Sequence, residues 1–93
     1  MYVIMVYDIE LKDYVGNKVL RKVFKLSKEY LNHVQNSVFE GEMSEGQMMQ
    51  LKYELKDVIR EDKDSVIFFT SSKEEWLEKE VLGVNKNAFS NLL

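Results

Sequence analysis

Tyr2-Val3-Ile4-Met5-Val6-Tyr7-Asp8 is an almost wholly apolar run that stops on a carboxylate. A strand this hydrophobic on both faces belongs in the middle of a sheet covered by helices, and an acid at its carboxyl end then reaches the sheet rim on a rigid support. That makes Asp8 the first candidate for chemistry. A plainer role is open to it as well. It can accept backbone N–H bonds as the cap of the following turn, which on the local sequence alone is the safer reading.

After a polar connection at 10–14, apolar residues at Val15, Val19, Leu20, Val23, Phe24, Leu26, Tyr30 and Leu31 recur at helical spacing. They predict a helix with one buried stripe. Lys18, Arg21, Lys22, Lys25 and Lys28 take the opposite side. Such a row is as often a solvated helix face as a binding surface, and what favours binding here is the near absence of interleaved acids. His33 to Met43 is extended in character, with Val34, Val38 and Phe39 as strand formers and Asn36-Ser37 interrupting the alternation. One bent strand and two short ones both fit.

Ser44 and Gln47 have capping-box spacing at the head of a helix expected to reach about Arg60, with Met48, Leu51, Leu55, Val58 and Ile59 facing inward. The charged run Glu61-Asp62-Lys63-Asp64 ends it, and Ser65-Val66-Ile67-Phe68-Phe69-Thr70 is a second apolar strand. A short amphipathic piece surrounds Trp76 and Leu77, and Glu80-Val81-Leu82-Gly83 reads as a brief edge strand.

This order predicts an α+β fold, a ferredoxin-like βαββαβ arrangement with an additional short C-terminal strand. The domain spans 1–83, and 84–93 is a tail without strong pattern. Both helices cover one face of an antiparallel sheet in such a fold and leave the other bare. A bare, partly apolar face on so small a domain needs a partner, and the expected one is a second copy, a homodimer formed through the sheet.

At 93 residues with no cysteine, the chain is expected to be one domain without disulfides, thiolate metal ligands or thiol nucleophiles. With no signal peptide and no apolar run of transmembrane length, the expected setting is the cytoplasm, with no membrane partner. The formal net charge of −3 differs from the basic excess of most duplex binders. The distribution says otherwise: residues 11–33 balance at +4 and residues 34–93 at −5. Local field rather than net charge attracts phosphates, so an acidic chain can still present one cationic face.

His33 is the only histidine and the four glycines are scattered, so a Ser/His/Asp arrangement and a phosphate-cradling loop both lack material. His33 itself reads as a surface residue rather than a general base. A single Asp8 is too few for a catalytic Mg²⁺ site, which wants several oxygen ligands. Two copies brought together across a twofold axis would be enough to hold a divalent ion for attack on a phosphodiester.

Tyr7-Asp8-Ile9, Asn17-Lys18-Val19-Leu20, Tyr30-Leu31 and above all Val34-Gln35-Asn36-Ser37-Val38-Phe39-Glu40-Gly41-Glu42 resemble the small CRISPR-associated endoribonuclease family. This family is the second of the two core proteins of CRISPR spacer acquisition. Asp64-Ser65-Val66-Ile67-Phe68 and Val81-Leu82-Gly83 extend the resemblance over about residues 2 to 83. It implies a ferredoxin-like fold, dimeric through the sheet faces, with Val81-Leu82-Gly83 added to the other subunit's sheet. It also implies metal-dependent hydrolysis of RNA or DNA phosphodiesters, with Asp8 binding Mg²⁺ (or Mn²⁺) at the dimer axis and Tyr7 and Phe39 lining the same cleft. Implied partners are single-stranded RNA and/or duplex DNA and the CRISPR integrase, which members hold without needing hydrolysis. A non-catalytic DNA-binding adaptor is therefore the alternative. Many relatives carry an arginine two residues before the Asn-Lys pair, where this chain has Val15. Phosphate contacts then fall to Lys18, Arg21, Lys22 and Lys25, of which only Arg21 can clamp a phosphate bidentately.

Overall fold

A computed structural model of the chain describes residues 1–84. The elements run β1 (Tyr2–Asp8), α1 (Tyr14–Tyr30), β2 (Asn32–Gln35), β3 (Val38–Glu42), α2 (Glu45–Val58) and β4 (Ser65–Ser71), followed by a single 3₁₀ turn at Glu74–Trp76. The sheet order is β2-β3-β1-β4 with every pair antiparallel. The apolar opening strand is thus central, as its composition requires. This is the α+β, ferredoxin-like arrangement expected from the order of elements. No described helix is long and apolar enough to cross a membrane.

Side chains of β1 alternate. Val3, Met5, Tyr7 and Ile9 enter the core with Val19 and Val23 of α1, Phe39 of β3, and Met48, Leu51 and Leu55 of α2. Full burial of each such large side chain contributes roughly 1.5–3 kcal/mol. Ile4, Val6 and Asp8 take the opposite, open face. In register with them, Val38 and Glu40 of β3 and Ile67 and Phe69 of β4 share that face.

The buried series on α1 is Gly16, Val19, Val23 and Ser27, while Val15 is exposed. The expected stripe holds from Val19 to Leu31, with Leu20, Phe24, Leu26 and Tyr30 packed against the core, but it fails at Val15 and omits Gly16 and Ser27, and packing explains why. A Cβ on Gly16 would lie 2.1 Å from the Glu10 carbonyl oxygen, so only glycine lets the first turn of α1 approach the β1–α1 connection. Ser27 is buried at little cost because its hydroxyl donates to Val23 O at 2.6 Å. Helix α2 opens with the expected capping box, Gln47 N–H donating to Ser44 Oγ at 3.1 Å and Ser44 N–H to Gln47 Oε1 at 2.9 Å. It stops at Val58, two residues before Arg60.

The 33–43 segment is two strands, β2 and β3, joined at Asn36-Ser37 with a register shift between His33 and Gln35. Asn36 has φ 40, a left-handed conformation that asparagine tolerates better than most residues. Residues 80–83 form no strand within the chain, and Leu82 is 88 % exposed. After β4 the chain turns at Glu74–Trp76, and Lys79 ion-pairs with Glu40 of β3. Except for Val84, the tail expected over 84–93 lies outside the described residues.

Candidate functional site

Asp8 closes β1 opposite Ser65 of β4 and stands exposed at the sheet rim. Its carboxylate has no hydrogen bond or ion pair among the described residues. It borders a shallow recess shared with Glu10, Lys12 and Lys63. The turn-capping role open to it in the sequence belongs instead to Asp64. Asp64 Oδ1 accepts the Glu10 N–H at 3.0 Å, and Oδ2 accepts the Arg60 N–H at 2.8 Å.

Around Asp64 a clasp forms on the connection that follows Asp8. Arg60 donates through Nε to Asp64 Oδ2 at 3.0 Å and through Nη2 to Asp64 Oδ1 at 2.9 Å. Its Nη2 also donates to the Glu10 carbonyl at 2.7 Å, and Nη1 to Asp13 Oδ1 at 3.3 Å. Asp13 in turn caps α1 by accepting the Gly16 N–H at 2.9 Å. The peptide groups of Glu10 are therefore held from both sides, and the backbone leaving Asp8 is fixed. Arg60 beside it, with the two backbone N–H donors, holds the Asp64 carboxyl down to about 2 from the ordinary 3.8. The Gly16 N–H, then Lys63 and Arg60, likewise lower Asp13. Sequence reasoning passed over this clasp, having read 61–64 only as a helix-ending charged run. The available signal was the four-residue spacing of Arg60 and Asp64.

Tyr7 and Phe39 come together, with ring centroids 6.0 Å apart and stacked at 28°. They do so on the helix-covered side of the sheet. Phe39 is wholly buried and packs edge-on to Phe24 at 5.5 Å. Because β1 alternates, neither ring shares a cleft with the Asp8 carboxylate within one chain. Burial pushes the Tyr7 phenol up from its ordinary value. His33, half-buried, packs against Phe24 and Phe39 at 4.9 Å each, and its Nε2 lies 2.8 Å from Asn36 O. It is a packing residue of the hairpin.

Lys18, Arg21, Lys22 and Lys25 are all exposed and together line one shallow groove on α1. None of the four has an ion-pair partner among the described residues, although Lys18 Nζ lies 5.2 Å from the Tyr14 ring centre. Their charge is thus available to a ligand. On the open sheet face Ile67 and Phe69 are 52 % and 56 % exposed beside Ile4, Val6 and Val38. At the far end of that face burial, together with the nearby Glu40 carboxylate, raises the Tyr2 phenol well above its ordinary range.

These features define a ferredoxin-like α+β domain with one open sheet face, a free acid at its rim and an uncommitted cationic helix. The chain belongs to the family of the CRISPR associated protein Cas2, whose family model matches residues 1–79. It is 52 % identical over 93 residues to the CRISPR-associated endoribonuclease Cas2 of Fusobacterium nucleatum subsp. nucleatum, covering all of this chain and 87 % of that one. It is 40 % identical to the protein of the same name from Dictyoglomus turgidum, with both chains covered in full. The crystal structure of Streptococcus pyogenes Cas2 at pH 6.5 superposes with a TM-score of 0.80 at 36 % identity, over 89 % of this chain and all of that one.

Proposed function

We propose that this chain is one half of a homodimeric, metal-dependent endonuclease of CRISPR adaptation, with an Asp8 from each subunit forming the metal site. The observation that carries this reading is the Asp8 carboxylate, rigidly mounted at the rim of the open face while Asp64 takes the structural work of the turn. Relatives bearing the name endoribonuclease, in full-length alignment with this chain, support the activity.

The donor set fits a shared ion. Among the described residues no three acids or histidines cluster as metal ligands, so one chain alone does not assemble a ligand set. Oxygen ligands from two chains, completed by water, suit Mg²⁺ or Mn²⁺. When bound, such an ion offsets charge on the phosphate and makes a water acidic enough to act as nucleophile near neutral pH. Asp8 of each chain would hold it. Arg60 and Asp64 keep the connection after Asp8 from yielding. Tyr7 and Phe39 act through β1, their packing setting the pitch of the strand that carries the acid. The open face supplies the dimer contact, and Val81-Leu82-Gly83 adds to the partner's sheet. Its substrates are single-stranded RNA and/or duplex DNA, with their phosphates lying on Lys18, Arg21, Lys22 and Lys25. The protein works in the cytoplasm with the CRISPR integrase.

The test compares wild type and Asp8→Ala at matched purity across a Mg²⁺ titration. Loss of about 100-fold or more in cleavage by the variant is expected, in line with removal of a metal ligand. Equal residual activity in both proteins would assign the cleavage to a contaminant. A second reading, a non-catalytic dimeric adaptor that binds DNA and scaffolds the integrase, is favoured by the groove of α1 cations, which have no ion-pair partner among the described residues. It prevails if Asp8→Ala still supports spacer acquisition while charge reversal of the four basic residues abolishes it.

A further inference from the structure

A second cleft opens between α1 and the β2–β3 turn, on the helix-covered side of the sheet. Leu20, Arg21 and Phe24 form one wall and Asn36 and Ser37 the other, with Tyr7 among the lining residues and a volume of about 410 Å³. That is within the size range of small-ligand sites. Tyr7 is only 4 % exposed, and its hydroxyl has no hydrogen-bond partner among the described residues. No fully enclosed side-chain polar atom among those residues lacks a partner, so this hydroxyl is the part of the ring that opens on the cleft. Accessible from the cleft and without a partner in the protein, it can hydrogen-bond to whatever occupies that space.

The chemistry of the walls narrows the occupant. Leu20 and Phe24 give apolar faces for a flat group. Asn36, at the tip of the turn, adds an amide that both donates and accepts, the pattern that reads a nucleobase edge. Arg21 lines this cleft and also the groove it shares with Lys18, Lys22 and Lys25. A planar group in the cleft would therefore carry its anionic attachment directly onto the cationic face.

We propose that the cleft takes one unpaired nucleobase of a nucleic-acid strand whose phosphates run along the α1 groove. The inference rests on the reading of α1 as a nucleic-acid face and adds to it a preference for unpaired ends. Sugar identity is left to the ligand, since base and phosphate are common to RNA and DNA.

The test is a pair of binding titrations on the full chain. A duplex with a single-stranded overhang is compared with the same duplex whose overhang is abasic at every unpaired position, in DNA and in RNA versions and at several salt concentrations. The intact overhang is expected to bind about fivefold or more tightly in at least one version, the scale of one stacked base. In Tyr7→Phe combined with Asn36→Gly the intact-to-abasic ratio, each variant measured against itself, should fall to about 1. Equal binding of intact and abasic overhangs by wild type, with salt dependence retained, overturns the cleft while leaving the cationic face standing. A ratio that survives in the double variant overturns it too. Absence of salt-dependent binding to any of these duplexes overturns the α1 face and the cleft together.

Discussion

The Arg60 guanidinium grips the Asp64 carboxylate through two hydrogen bonds, Nε–H to Oδ2 at 3.0 Å and Nη2–H to Oδ1 at 2.9 Å. The carboxylate is fully enclosed and also accepts two backbone N–H groups, so its negative charge is satisfied only in the folded chain. Its proton therefore leaves more readily in the folded state, where the carboxyl sits at about 2, than in the unfolded one at 3.8. The resulting stabilisation is complete above about pH 5 and is lost as pH falls from about 4 through 2. Thermal unfolding followed by circular dichroism should show a falling melting temperature across that window. Asp64→Asn should be destabilised by about 2–4 kcal/mol at neutral pH and should show a shallower acid slope.

Gly16 brings α1 against the Glu10 carbonyl, the same oxygen that Arg60 binds. Gly16→Ala forces these apart and is expected to cost about 1–3 kcal/mol, the range of overpacked sites. Chemical denaturation at neutral pH measures it. An Asp8→Ala control should stay within about 0.5 kcal/mol of wild type, because the carboxylate it removes has no partner among the described residues.

Phe69 and Ile67 lie half in water on the open face. Placing a charge there by Phe69→Lys should convert the dimer to monomer in sedimentation velocity, with little change in the melting temperature of the monomer itself. A wild type that sediments as a monomer would contradict the dimer reading directly.

Each of the α1 cations that meets a phosphate contributes about 0.9 to the slope of log affinity against log salt on duplex DNA. Lys22→Ala should lower the slope by about that amount. Arg21→Lys should keep the slope and still weaken binding, because an ammonium cannot reproduce the bidentate fork.

Most of the fold is legible in the sequence because its signals are local. The apolar run of β1, the stripe carried by Val19 and Val23, and the Ser44–Gln47 box each specify an element without help from distant residues. What stays hidden depends on contacts far apart in the chain. Gly16 takes the buried place expected of Val15, and Ser27 joins the series, because of where Glu10 and Met5 lie. The order of Asp8 and Asp64 as free acid and turn cap is likewise decided by the reach of the α2–β4 connection over residues 10–13, which no spacing within β1 reveals. Tyr7 and Phe39 show a different limit. Strand alternation alone already places Tyr7 on the face opposite Asp8, a consequence that the family resemblance obscured.

The account stands or falls on whether two Asp8 carboxylates share one ion. A crystal structure of the dimer grown with Mn²⁺, read through the metal's anomalous scattering, measures this directly. The account predicts a peak on the twofold axis with Asp8 oxygens of both subunits about 4 Å apart when bound directly, or up to about 9 Å when water intervenes. Asp8 carboxylates separated well beyond that span, or a metal bound away from them, would contradict it.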